Sequence, residues 1–296
     1  MSVIAIPPSY NEDQSLETKS TVRYLQFLYD NGATKVMTTA GTSQFNLLTI
    51  DEVHEFNAAV TAFNGEKILG VPALSTREAI QFIRDAEFYS DNRTQYMLLY
   101  PDRYYSDESI KKYVTDITSA TNRQVYLHAQ KARHGVKGSW EYSYKVINSL
   151  SDNLLGIKEE ISDLKESYDF VANILFHLDI IVAGGSMRRF HYLEMANPSI
   201  TFLSGIGNIN PRLEKEFANI NIGKHVFLEK ERSLFDVFMK YGWHRSLRYA
   251  LKYYELTCFN NRDPWPEEDN AFTMEIAETL MENIGVEDLD FGSVFN

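Results

Sequence analysis

The chain holds a single cysteine, Cys258, in 296 residues. That count excludes an intrachain disulfide and a cysteine-based zinc site, and it is the usage expected of a chain kept in a reducing compartment, so a cytoplasmic protein is expected. Basic residues are also scarce: 29 Lys and Arg stand against 41 Asp and Glu, a formal charge of −12. Such a balance repels phosphate backbones and anionic lipid headgroups, and neither nucleic acid nor a membrane is an expected partner. No stretch reaches the ~20 uninterrupted apolar residues of a spanning helix. Met1 to Tyr10 has no basic start and no long apolar run before Pro7 and Pro8, so no secretory leader is expected.

Hydrophobic residues, by contrast, make up 44% of the chain, enough to core one barrel or two smaller domains. The 18 Tyr and 18 Phe lack interleaved Lys and Arg and read as core and subunit-interface filling. Eight short apolar runs read as buried parallel strands: Val3 to Ile6, Lys35 to Thr39, Ile68 to Val71, Tyr96 to Tyr100, Gln124 to His128, Leu154 to Lys158, Ile180 to Ala183 and Thr201 to Ser204. Between them lie segments with apolar residues at helical spacing, such as Val22, Leu25, Phe27 and Leu28, then Val53, Phe56 and Val60, then Ile80, Ile83 and Phe88. Strand and helix alternating eight times predict a (β/α)8 TIM barrel. From Pro211 onward no strand signal appears, and Leu228 to Lys240, Trp243 to Leu256 and Asn270 to Asn283 read as helices. The expected organisation is a barrel over residues 1–222 and a C-terminal helical extension over 223–296.

Barrel chemistry sits on the loops that follow the strands. Lys158 ends the run Leu154-Leu155-Gly156-Ile157, where a strand delivers its last side chain into the central cavity. Desolvation lowers an amine's pKa, and the neutral amine is the form that attacks a carbonyl to make a Schiff base. An outward-turned lysine paired with Glu159 or Glu160 is the competing arrangement.

Leu155-Gly156-Ile157-Lys158-Glu159 matches a G-[IVL]-K-[ED] Schiff-base motif. Through it the chain, from about Val3 to about Gly285, resembles the dihydrodipicolinate synthase and N-acetylneuraminate lyase family of pyruvate-dependent class I aldolases. Ala40-Gly41-Thr42-Ser43-Gln44, followed by Leu48-Thr49 and Asp51-Glu52, falls where that family has G-[TS]-T-G-E, a short gap, Leu and an acidic pair. Ser204 and Asn208 fall in the region of its eighth-strand motif, and Arg262-Asp263-Pro264 where a basic residue and a proline precede the last helices. The lysine motif is specific; the others gain weight from their order.

The resemblance implies a (β/α)8 barrel, a homotetramer, a 2-keto acid substrate and no metal or organic cofactor. It implies attack by Lys158 on a keto carbon, and substrate-carboxylate binding at Gly41 and Thr42, with Arg133 aligned to an arginine that binds a second carboxylate or shapes the cavity mouth. Gly184, where backbone comes close to the ligand, and Leu203 at the end of the eighth run are placed among the substrate-binding residues.

Three departures from the family pattern stand out. His128 falls where the family has the tyrosine that relays protons to the Schiff-base intermediates, and an imidazole is able to carry protons near neutrality. Gly41 lacks one hydroxyl of the threonine pair, with Ser43 and Gln44 in place of Gly and Glu, and the partner-subunit tyrosine is not clearly present around Pro101-Asp102-Arg103, near Tyr104 and Tyr105. Glu160 occupies a usually small position two residues beyond Lys158, so its side chain points the same way. It would hold Lys158 as an ammonium unless His128 or Arg133 takes up its charge, and Glu160 with His128 is expected to form a replacement acid/base pair.

The expected function is a Schiff-base-forming lyase or aldolase acting on pyruvate or another 2-keto acid. The alternatives are a 4-hydroxy-tetrahydrodipicolinate synthase with a remodelled relay and a non-catalytic 2-keto-acid-binding protein. His54, His177, His191, His225 and His244 lie on different elements without acidic companions at metal spacing, which does not make a zinc site. Gly184-Gly185-Ser186 and Gly205-Ile206-Gly207 are too short for a dinucleotide fingerprint.

Overall fold

A computed structural model describes residues 2–100, 106–129, 144–150, 152–220, 223–256, 262, 270–283 and 289–290. Eight strands, β1 Ser2–Ala5, β2 Lys35–Met37, β3 Glu66–Val71, β4 Thr94–Leu98, β5 Val125–Ala129, β6 Gly156–Glu159, β7 Asp179–Gly185 and β8 Thr201–Ser204, close into one barrel in chain order. The pairings of β1 with β2, β4 with β5, β5 with β6 and β6 with β7 are parallel. The connecting helices are α1 Thr18–Asp30, α2 Ile50–Val60, α3 Thr76–Glu87, α4 Asp107–Thr118, α5 Tyr144–Asn148, α6 Leu164–Asn173 and α7 Met187–Leu193. After β8 come α8 Pro211–Asn219, α9 Lys224–Tyr241, α10 Trp243–Tyr253 and α11 Asn270–Asn283. The fold is the expected (β/α)8 barrel with a C-terminal helical segment.

By internal contact the chain forms two compact units, residues 68–203 and residues 1–67 with 204–296. In the first, α3 starts on a capping box: Ser75 accepts from the Glu78 N–H, and the Glu78 carboxylate returns to the Ser75 N–H. Its buried stripe is Ala79, Phe82, Ile83 and Ala86. Phe88, expected on that stripe, is the cap residue after the helix and is 90% exposed, because the last turn has rotated it off the packed face. Ser106, Asp163 and Ser186 cap α4, α6 and α7 in the same N-terminal manner.

In the second unit α2 begins on the capping box of Thr49 and Glu52. Asn210 caps α8, with Pro211 at its first turn where a missing N–H costs nothing. Helices α9, α10 and α11 pack on one another, and Arg248 of α10, 2% exposed, donates to the Pro8 carbonyl at 2.8 Å. Two fragments that matched the family only loosely meet here: Arg262 Nη2 lies 2.7 Å from Glu52 Oε1. Burial pushes the Glu52 carboxyl upward, and the bonds from Arg262 and Thr49 outweigh it, leaving it below its ordinary value. Among the described residues no helix is long and apolar enough to cross a membrane.

Candidate active site

The site is built on the adjacent strands β5 and β6. Their register pairs Tyr126 with Gly156 and His128 with Lys158, so His128 and Lys158 leave neighbouring strands side by side at the carboxyl end. The motif glycine has a steric reason. A Cβ on Gly156 would stand 2.1 Å from the Asp179 carbonyl oxygen, its register partner on β7. Only glycine lets β6 and β7 approach closely enough to seat Lys158.

Alternation then sorts the charged residues that follow. Lys158 and Glu160 fall on one face and Glu159 on the other. Glu159, fully buried, accepts from Arg189 Nη2 at 2.8 and 2.9 Å, from Ser167 Oγ at 2.8 Å and from the Ile161 N–H at 2.6 Å. Arg189 also donates to the carbonyls of Ala183 and Ile161. A buried carboxylate is tolerated only with such a set of donors. The acidic residue of the lysine motif therefore ties β6 to α6 and α7 and is turned away from the amine.

The opposite face holds a triangle. Lys158 Nζ lies 2.9 Å from His128 Nε2 and 2.9 Å from Glu160 Oε2, and His128 Nε2 lies 2.9 Å from the same Glu160 oxygen. Lys158 is 3% and His128 1% exposed, while the Glu160 side chain keeps 26% of its surface open. Withdrawal from water pushes the Glu160 carboxyl upward. The Lys158 charge, with hydrogen bonds from His128 and Lys158, overrides that and holds it well below 4.5.

The expected companions fall as follows. Gly184, one residue before the end of β7, has φ +98°, and a Cβ there would come within 2.9 Å of Arg189 Cδ, so this glycine serves the backbone conformation and the Arg189 clamp. Leu203 is buried on β8. In the other unit Gly41 and Thr42 occupy the loop after β2, half-buried, and His244 Nε2 lies 3.6 Å from where a Gly41 Cβ would be. Asn208 is engaged internally, accepting from Tyr24 Oη at 2.6 Å, and Ser204 Oγ accepts from the Gly207 N–H. Arg133, Tyr104 and Tyr105 lie outside the described residues. Arg189 and Ser167 were not singled out from sequence. The signal was present, since an outward-facing buried acid at 159 demands a cation nearby. Among the described residues no three His, Cys, Asp or Glu side chains gather as metal ligands.

A parallel barrel with a buried lysine near the end of its sixth strand, beside a histidine, fits a class I, Schiff-base-forming lyase or aldolase. The chain belongs to the dihydrodipicolinate synthetase family, whose model matches residues 2–282. Among solved structures it is similar to the 4-hydroxy-tetrahydrodipicolinate synthase of Methylacidiphilum fumariolicum SolV, at 19% identity and TM-score 0.81, covering 95% of each chain. It is similar to the N-acetylneuraminate lyase of Fusobacterium nucleatum at 15% identity and TM-score 0.80, covering 96% of this chain and 98% of that one. It is likewise similar to the dihydrodipicolinate synthase of Thermotoga maritima, at 16% identity and TM-score 0.80, covering 95% and 98%. No curated protein sequence matches the chain.

Proposed function

We propose that the protein is a lyase or aldolase that takes pyruvate or another 2-keto acid as an imine on Lys158, with His128 as proton carrier and Glu160 as counter-ion. The observation that carries this reading is the closed triangle of 2.9 Å contacts among the three side chains.

Its proton inventory supports the roles. An ammonium has only donors, a carboxylate only acceptors, and an imidazole nitrogen is one or the other. With Lys158 as ammonium, it donates to both neighbours and His128 Nε2 is a bare acceptor, leaving the His128 to Glu160 edge without a proton. Moving one proton from Nζ to Nε2 frees the amine for attack and lets the imidazolium donate to Glu160. These two states differ by one short transfer, which is the step that imine formation requires. The imidazolium can then return its proton to the departing hydroxyl of the carbinolamine.

Glu160 does not cancel this chemistry. Its charge stabilises the ammonium, but the protonated imine carries the same positive charge at the same nitrogen, so the pairing survives imine formation. Only the transient neutral amine is disfavoured, and His128 beside it holds the proton it has given up. In cleavage the electron pair of the bond between C3 and C4 passes to the iminium to form the enamine, the C4 hydroxyl gives its proton to His128 as it leaves as an aldehyde, and His128 returns that proton to C3 of the enamine. Gly41 and Thr42 would hold the substrate carboxylate and Arg133 a second acidic group. With histidine in place of the relay tyrosine and glycine in place of a threonine, 2-keto acid cleavage or condensation with another aldehyde is favoured over dihydrodipicolinate formation. The assembly we expect is a homotetramer, four times 34.1 kDa by light scattering.

The test is borohydride reduction with pyruvate and with longer 2-keto acids, followed by intact mass and peptide mapping of the native chain and of Lys158→Ala. A reduced adduct on the peptide holding Lys158, absent from the variant, supports the reading. Failure with every keto acid overturns it.

A further inference from the structure

One layer below the triangle, toward the start of the strands and within the compact unit of residues 68–203, lies a second hydrogen-bonded group. Tyr126 precedes His128 by two residues on β5, so the two side chains leave the same face of the strand. Tyr126 Oη donates to Asp179 Oδ2 at 2.7 Å, and Thr201 Oγ1 donates to Asp179 Oδ1 at 2.9 Å. Tyr126 and Thr201 are buried. The register puts Gly156 between the two ends of the first bond, as the partner of Tyr126 on one side and of Asp179 on the other. The tie thus runs from β5 across β6 to β7 and on to β8, in the layer where β6 carries no side chain.

This tie supplies what the clamp on the other face of β6 lacks. Glu159 binds β6 to α6 and α7 through Ser167 and Arg189, and neither bond reaches β5, the strand of His128. Ladder bonds set the register of β5 on β6, but the twist between paired strands ranges from roughly −10 to −35°. Register alone therefore does not fix a side-chain distance at the strand ends. Lys158 Nζ and His128 Nε2 stand 2.9 Å apart, and a misplacement of about 1 Å at a reacting pair is able to cost about 10²-fold in rate. Asp179 accepts with one oxygen from β5 and with the other from β8. A phenol held at its far end in this way lets β5 turn only if β7 moves with it.

We propose that Tyr126 is a positioning residue: through Asp179 and Thr201 it sets the orientation of β5 so that His128 Nε2 meets Lys158 Nζ at hydrogen-bond distance. The assignment rests on the Schiff-base reading above and adds to it a residue that acts through His128. Gly156 then gains a second use, since a side chain there would stand in the layer that the bond crosses.

The test measures deuterium exchange into the methyl group of pyruvate, the pyruvate concentration for half-maximal borohydride trapping, and the melting temperature. The proteins are the native chain, Tyr126→Phe, Thr201→Val, Asp179→Asn, His128→Gln and the double variant of Tyr126→Phe with His128→Gln. Tyr126→Phe keeps the ring and loses the hydroxyl, and it is expected to slow exchange about ten- to a hundredfold while half-maximal trapping stays at the native concentration. Thr201→Val reads the same tie from its far end, with slowed exchange at native half-saturation expected. Asp179→Asn still offers an oxygen to one hydroxyl and an amide to the other, and is expected to exchange at close to the native rate. In the His128→Gln background Tyr126→Phe is expected to slow exchange no further, the non-additivity of two residues that act through one step. A Tyr126→Phe protein that exchanges at the native rate, whether or not it melts lower, would overturn the assignment while leaving the Schiff-base reading intact. So would an equal loss with and without His128, or an Asp179→Asn protein as slow as Tyr126→Phe, which would point to charge rather than alignment. A native chain that traps no 2-keto acid overturns both.

Discussion

Lys158 Nζ and Glu160 Oε2 stand 2.9 Å apart, a contact made between residues two apart on extended chain, whose side chains share a face. The pair places a negative charge beside the Lys158 amine, and His128 touches both members. The consequences can be measured separately for each residue.

Glu160→Gln should destabilise the protein at neutral pH by about 1–3 kcal/mol, because it leaves Lys158 and His128 without their counter-charge. The folded-state pKa of Glu160 is depressed below 4.5. Its stabilisation is therefore complete above the unfolded value and is lost as the pH falls through the folded one. Urea unfolding from pH 7 to pH 3 should show the gap between native and variant closing below about 4.5. A gap independent of pH would contradict the ion pair.

His128→Gln should leave pyruvate capture possible while slowing proton movement. Deuterium exchange into the methyl group of pyruvate, followed by NMR, should fall by roughly 10²- to 10⁴-fold, the range for loss of a positioned acid/base. Exchange within a few-fold of the native rate would remove His128 from the proposed mechanism.

Arg189→Met should cost about 3–5 kcal/mol, since Glu159 would remain a fully buried charge stripped of its cation. Glu159→Gln should cost less, and it should still trap pyruvate on Lys158 because that side chain faces away from the amine. Loss of trapping in a folded Glu159→Gln protein would show that the two faces of β6 are not separate.

Gly156→Ala tests the packing that seats the lysine. Its methyl would lie 2.1 Å from the Asp179 carbonyl oxygen, and backbone cannot yield as a flexible side chain does. Overpacking of this kind costs at least about 1–3 kcal/mol. The expected outcome is a marked drop in melting temperature or insoluble protein, and a native-like melt would mean that β6 and β7 separate easily.

Much of the barrel was legible because its signals are local. A strand buried on both faces needs four or five apolar residues in a row, and helices show themselves by apolar residues at helical spacing such as Val53, Phe56 and Val60. Phe88 misled because periodicity does not say at which turn a helix stops. The lysine motif was legible for the same local reason, and simple alternation already put Glu160 on the side of Lys158.

By itself, then, the sequence determined eight parallel strands, the helices after β8, the place of Lys158 and the shared face of Lys158 and Glu160, all consequences of spacing within one element. Tertiary structure alone decided that β5 and β6 align His128 beside Lys158, that Arg189 reaches Glu159, that Arg262 finds Glu52, and that Tyr126 meets Asp179 across β6. Each of these joins residues on different elements. Such relations are set by strand register and helix packing, which depend on the whole chain and leave no mark in the spacing of any one segment.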